Sequence, residues 1–139
     1  MVYLAVGCSR SDTFMNRLRH HVFDIAKQHG IRVKVNSGVV NSYPKLVNIP
    51  EIDSHYNYAL AMHELGHALD HRQSFSNIKE AVWAWKQNEW RDENWAWDWA
   101  RENALVWTTG MERARCVCLG IWYRHLMRAM FDPPPKRKR

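Results

Sequence analysis

Ala59-Leu60-Ala61-Met62-His63-Glu64-Leu65-Gly66-His67-Ala68-Leu69 is the stretch from which the rest of the chain can be read. Ala59, Met62, Leu65 and Leu69 recur at intervals of three and four, the signature of a helix face turned to a core. Asp53 or Ser54 is suited to cap its start, and its end is expected near Gln73. Two histidines four residues apart project from the same side of a helix, so both imidazoles can reach one Zn²⁺ at about 2.0–2.1 Å. His63 and His67 have that spacing. Glu64, beside the first of them, points to where an attacking water would sit and can take its proton without binding the metal. An HExxH arises by chance in roughly two of a hundred shuffled chains of this composition, so its weight comes from context. That context is an apolar helix and Gly66, whose missing Cβ lets another element approach closely. The bland alternative is a helix whose histidines are polar surface or satisfied core.

A catalytic zinc takes three protein ligands and keeps a fourth position open. The longer HExxHxxGxxH spacing would put a histidine at 73, where the chain has Gln73. His71 lies about 12 Å along the helix axis from His63, too far for all three histidines to share an ion. It and Asp70 are expected beside the site or the substrate, with plain exposure the alternative for His71.

The third ligand is therefore sought among carboxylates. At about 100° per residue, Trp90, Trp97, Ala100, Ala104 and Trp107 fall within about 60° of Glu93, which interrupts an apolar stripe. A carboxylate buried among indoles costs several kcal/mol unless it is paired or binds metal. Glu89 shares that face one turn earlier and is the runner-up; Glu102 faces the opposite way, and Glu80, Asp92 and Asp98 point well aside. On a straight helix Glu93 would stand some 24 Å beyond Asn77, out of level with His67, so a break is expected between Lys86 and Trp90.

The remaining organisation is α+β and mostly helical, in a single domain over residues 1–132 followed by a basic disordered tail, 133–139. Phe14, Leu18, Val22, Ile25 and Ala26 predict a helix over Thr13 to Gly30. Ile31 to Val35 and Lys45 to Ile49 predict strands, with turn chemistry at Asn36-Ser37-Gly38 and Asn41-Ser42. A sheet of two or three such strands needs a helix against one face. Ser76 can cap a helical stretch that holds seven of the eight tryptophans, Trp83 to Trp107, and stops near Gly110. Trp90, Trp97 and Trp107 are expected in the core, while Trp85, Trp95 and Trp99 point elsewhere, toward another helix or a partner. A last helix, Met111 to Phe131, would bury Ala114, Val117, Ile121, Leu126 and Met127.

The net charge of +6 suggests nucleic acid until Lys136, Arg137, Lys138 and Arg139 are set aside; sixteen basic side chains then face fourteen acidic ones, a body of +2. The tail after Pro133-Pro134-Pro135 is either a weak nucleic-acid arm or solvated chain. Cys8, Cys116 and Cys118 are odd in number and expected to be reduced and buried. No run reaches about 18 apolar residues and no signal peptide is apparent, so a cytoplasmic location without membrane contact is expected.

On His63-Glu64-Leu65-Gly66-His67 and Glu93-Asn94-Trp95-Ala96-Trp97-Asp98-Trp99-Ala100, the chain resembles gluzincin-type zinc metallopeptidases, in particular the ImmA/IrrE-like proteins of bacteria and phages. The second segment is similar to that family's glutamate three residues before an Ala-x-x-aromatic-Ala run. The resemblance spans about residues 13 to 105. It implies a minimal zincin fold, one Zn²⁺ per chain, Glu93 rather than Glu89 as third ligand, and a protease of narrow specificity acting on a regulatory protein. Glu64 would be the general base, with the protein or peptide substrate an added strand along the sheet edge near Lys45 to Ile49. Tyr58, His71, Arg101, Tyr123 and His125 all carry donors for an oxyanion. Two other readings remain open: a zinc-binding regulatory or interaction protein whose fourth zinc position is closed by His71 or Asp70, and a protease recruited to nucleic acid by the Lys136 to Arg139 arm.

Overall fold

A computed structural model describes residues 10–36, 38–43, 45–70 and 93–131. Their elements are α1 (Arg10–Gln28), β1 (Arg32–Val35), β2 (Asn41–Tyr43), β3 (Leu46–Ile49), α2 (His55–Leu69), α3 (residues 93–103) and α4 (Thr109–Phe131). This is the expected α+β arrangement, with the small sheet following an N-terminal helix and preceding the histidine helix in the chain. Cys8, His71, Ser76, Trp83, Trp85, Glu89, Trp90, the break expected between Lys86 and Trp90, and the basic tail lie outside the described residues. Among the described residues no helix is long and apolar enough to cross a membrane.

Helix α1 buries Leu18, Val22 and Ala26, spaced by four, and starts earlier than Thr13. Its C-terminus closes on Gly30: the Ile31 amide donates to Ala26 O at 2.8 Å and the Gly30 amide to Lys27 O at 3.2 Å, with Gly30 at φ 66°. A left-handed residue one step past a helix is what glycine allows without a Cβ clash. The chain then enters β1.

The sheet has the order β1-β3-β2, so β3 lies in the middle, parallel to β1 and antiparallel to β2. This corrects two expectations. Leu46 to Ile49 are hydrogen-bonded on both sides and offer no edge to a substrate. Asn41 and Ser42, taken as turn residues, pair with Asn48 and Val47 as part of the outer strand β2. Val47 and Ile49, two apart and fully buried, face inward, where α2 packs against β3 and β2.

Of the two candidate caps for α2, Ser54 serves: its hydroxyl accepts the Asn57 amide at 3.1 Å. The helix stops at Leu69, short of Gln73, because Asp70 turns to extended backbone and its amide bonds His67 O at 3.2 Å. Neither glycine nor proline marks that end. Tyr58, Ala59, Ala61, Met62 and Leu65 are fully buried, so α2 is the central rod of the core.

The tryptophan-rich helix also ends early. The chain leaves α3 at residue 104 and restarts at Thr109, where a helix continuous to Gly110 was expected. The Leu105 amide donates to the Tyr58 hydroxyl at 3.1 Å, a tertiary bond in place of the helical one. Trp97 is fully buried, as expected, whereas Trp107 is half-buried and donates to Glu112 Oε2 at 2.7 Å. In α4 the inward positions are Met111, Ala114, Leu119 and, partly, Cys118; Val117 and Ile121, expected in the stripe, are 44% and 47% exposed. Val117 is turned by about 120° from Met111, off the face that α2 covers. The side chains of Leu126 and Met127 lie outside the described ones. Cys116 is exposed and Cys118 half-buried, so burial of both thiols is not observed.

Candidate metal centre

Helix α2 presents His63 and His67 one turn apart, with their imidazoles edge to face, centroids 4.4 Å apart. Helix α3 supplies the third group. It can come so close because of Gly66: a Cβ there would stand 2.8 Å from Ala96 O and 3.2 Å from both Ala96 Cα and the Trp99 ring. The element that Gly66 was expected to admit is thus the backbone of α3 at Ala96, itself fully buried. Trp99 packs at this contact and Trp95 is half-buried.

One turn before Ala96, Glu93 meets both histidines. His67 Nε2 is 2.7 Å from Glu93 Oε1, His63 Nε2 is 3.0 Å from Glu93 Oε2, and the two Nε2 atoms are 3.0 Å apart. The His63 approach has the distance of a hydrogen bond but not its direction, and Glu93 Oε2 has no hydrogen-bond donor among the described residues. His63, His67 and Glu93 are a largely buried group able to hold a metal ion, the only such group of three or more among the described residues. Glu89 and His71 cannot be compared with it there, and Asp70, buried at the end of α2, is not a member.

The electrostatics favour a cation. Burial pushes the Glu93 carboxyl up, but the two imidazoles outweigh it and hold the group down at about 2, so it is ionised. Burial pushes the His63 imidazole below its usual 6.5, with Glu93 pulling the other way. Two ring nitrogens and a carboxylate turned toward one another need positive charge between them, and neutral imidazoles donate a lone pair to a metal. Ligand atoms held by one Zn²⁺ at about 2.0–2.1 Å and tetrahedral angles stand about 3.3 Å apart, a spacing the observed triangle approaches. The residues therefore fit a metal ion.

Glu64 stands beside this group without joining it. Burial pushes its carboxyl up to about 7, against His67 and the Ser42 hydroxyl, which donates to it. Ser42 was missed by sequence reasoning, since no spacing ties residue 42 to residue 64. Cys118, from α4, was missed too; burial, then the charges of Glu93 and Glu64, push its thiol up to about 11 and keep it protonated.

The expected oxyanion donors are not gathered here. Tyr58 is fully buried, its hydroxyl 2.7 Å from His21 Nδ1 and bonded by the Leu105 amide, so it is engaged within the core. Arg101 is exposed and pairs with Asp98 at 3.4 Å. Tyr123 is exposed, and the side chain of His125 is not among those described. No protein-family model, curated protein or solved structure matches the chain, so its functional reading rests on its own residues.

Proposed function

We propose that this chain is a zinc-dependent peptidase acting on extended protein segments. The observation that carries the reading is the convergence of His63 Nε2, His67 Nε2 and the Glu93 carboxylate within 2.7–3.0 Å of one another, with Glu64 beside them. Zn²⁺ held by those three residues supplies a Lewis acid that polarises a peptide carbonyl and acidifies water. Three protein ligands are the number a catalytic zinc takes, with a fourth position left for water or substrate.

The protein's own contribution centres on Glu64. A buried carboxyl poised near neutrality accepts the proton of the attacking water and returns it to the leaving amine. The Ser42 hydroxyl holds that carboxylate from β2, so the base and the outer strand form one wall. The outer edge of β2 pairs with no strand among the described residues, and an extended peptide can add to it beside Glu64. Exposed Val39, Val40 and Tyr43 line its approach and suit a substrate with apolar side chains. The free thiols fit a cytoplasmic setting.

The test is metal content by mass spectrometry together with proteolysis of an unfolded protein, for the native chain and Glu64→Gln. One zinc per chain in both, with activity reduced about 10²–10⁴-fold in the variant, is expected. Full activity in Glu64→Gln, or a native chain that takes up no zinc after reconstitution, overturns the reading.

A further inference from the structure

Among the described residues His63 lacks the hydrogen bond that usually orients a ligand histidine. A metal-binding imidazole nearly always donates its second ring N–H to a carboxylate, carbonyl or water, which fixes the ring's rotation about Cβ–Cγ. His63 Nδ1 is buried and has no hydrogen-bond partner among the described residues. The ring is nonetheless held on one side. The indole of Trp97 stacks on it, centroids 4.2 Å apart and planes within 18°.

Trp97 is fully exposed to neither solvent nor a polar partner: its side chain is entirely buried, and its Nε1 also lacks a hydrogen bond among the described residues. Among the described residues the indole is located by packing, with no hydrogen bond to Nε1. It sits four residues after Glu93, so one turn of α3 delivers both the carboxylate and the flat surface. Rotating the imidazole about Cβ–Cγ would swing Nε2 away from His67 and Glu93 and drive the ring edge into the indole plane. Terminal rotations of this kind are otherwise loose, with broad wells.

Given the metal site proposed above, we propose that Trp97 is a positioning residue for His63, its stacked indole fixing the imidazole where a hydrogen bond to Nδ1 is ordinarily used. The chemistry it serves is donation of the Nε2 lone pair to a divalent cation.

The experiment measures Zn²⁺ affinity by competition with a chromophoric chelator, and the visible spectrum of the Co²⁺-loaded protein, for native chain, Trp97→Phe and Trp97→Leu. Loss of an orienting partner typically lowers metal affinity 10–100-fold, and that loss is expected in Trp97→Leu, with an altered Co²⁺ spectrum. Trp97→Phe, which keeps a flat ring, is expected to bind within about threefold of native. Folded Trp97→Leu with native affinity and spectrum overturns the inference, as does Trp97→Phe binding no better than Trp97→Leu. Should Trp97→Leu fail to fold, ¹⁹F NMR of the 5-fluorotryptophan-labelled native chain decides. The resonance absent from Trp97→Phe shifts on zinc binding if the indole lies on a ligand ring, and stays still if it does not. A native chain that binds no zinc overturns the metal reading itself, an outcome distinct from all of these.

Discussion

Helix α2 carries two buried polar clusters about 7.5 Å apart along its axis, and they are built on opposite rules. At Tyr58 the polar groups are paired: the hydroxyl shares a hydrogen bond with His21 Nδ1 at 2.7 Å and accepts the Leu105 amide at 3.1 Å, joining α1, α2 and the start of the 104–108 connection. At His63 the accounts stay open, with His63 Nδ1, Glu93 Oε2 and Trp97 Nε1 buried and lacking hydrogen-bond partners among the described residues. Buried polar atoms are normally satisfied, and two imidazoles with a carboxylate whose partners are not among the described residues form a group that could hold a metal ion. The comparison is sharp because both clusters sit on one rigid element, fixed by the same core.

The largest effect should come from the contact that assembles the open cluster. Gly66→Ala gains about 0.5–1 kcal/mol of helix propensity but puts a methyl 2.8 Å from the Ala96 carbonyl, backbone against backbone. We expect a net destabilisation of about 1–3 kcal/mol in urea unfolding as α3 is pushed back. Because Glu93 is one turn from Ala96, zinc affinity should fall more than tenfold. Native affinity in this variant would mean that Gly66 does not set the position of Glu93.

Breaking the closed cluster should affect stability and spare the metal. Tyr58→Phe strands the Leu105 amide and leaves His21 Nδ1 without its partner, for a loss of about 1–3 kcal/mol in urea unfolding. Zinc affinity should change less than threefold, and a larger change would show that the two clusters are not independent.

The smallest effect is a pH dependence carried by His21. Burial lowers its pKa below the usual 6.5, with Asp24 opposing. The folded state thus binds fewer protons than the unfolded one just below pH 6.5. Stability from this group is whole above 6.5 and is lost as pH falls through the window down to the folded value. In metal-free protein, the drop in urea midpoint between pH 7.5 and 5.0 should be smaller in His21→Gln than in the native chain. An equal drop in both would assign the pH dependence elsewhere.

Much of the site was legible because local rules govern it. The spacing of His63 and His67 is a property of one helix, and the glycine between them announces a close neighbour whatever that neighbour is. Glu93 was reachable by a longer inference, since an acid inside an apolar stripe demands a partner. The position of Lys45 to Ile49 was misjudged because a strand's sequence carries its own pattern but not its neighbours, and β3 resembles an edge until β1 and β2 are both laid beside it. The end of α3 and the exposure of Val117 and Ile121 were misplaced for a related reason: helix period tells which residues share a face, not how wide a face the neighbouring element covers.

The sequence by itself therefore determined the α+β class and the histidine helix with its candidate base, and from periodicity and residue chemistry within single elements it put Glu93 ahead of Glu89 as the acid of the group. Only the tertiary structure decided which strand is outermost, that Ser42 holds Glu64, that Tyr58 is locked between His21 and Leu105, and that Trp97 lies flat on His63. Each of these is a contact between elements distant along the chain, and such contacts depend on how elements pack, which no spacing within one element encodes.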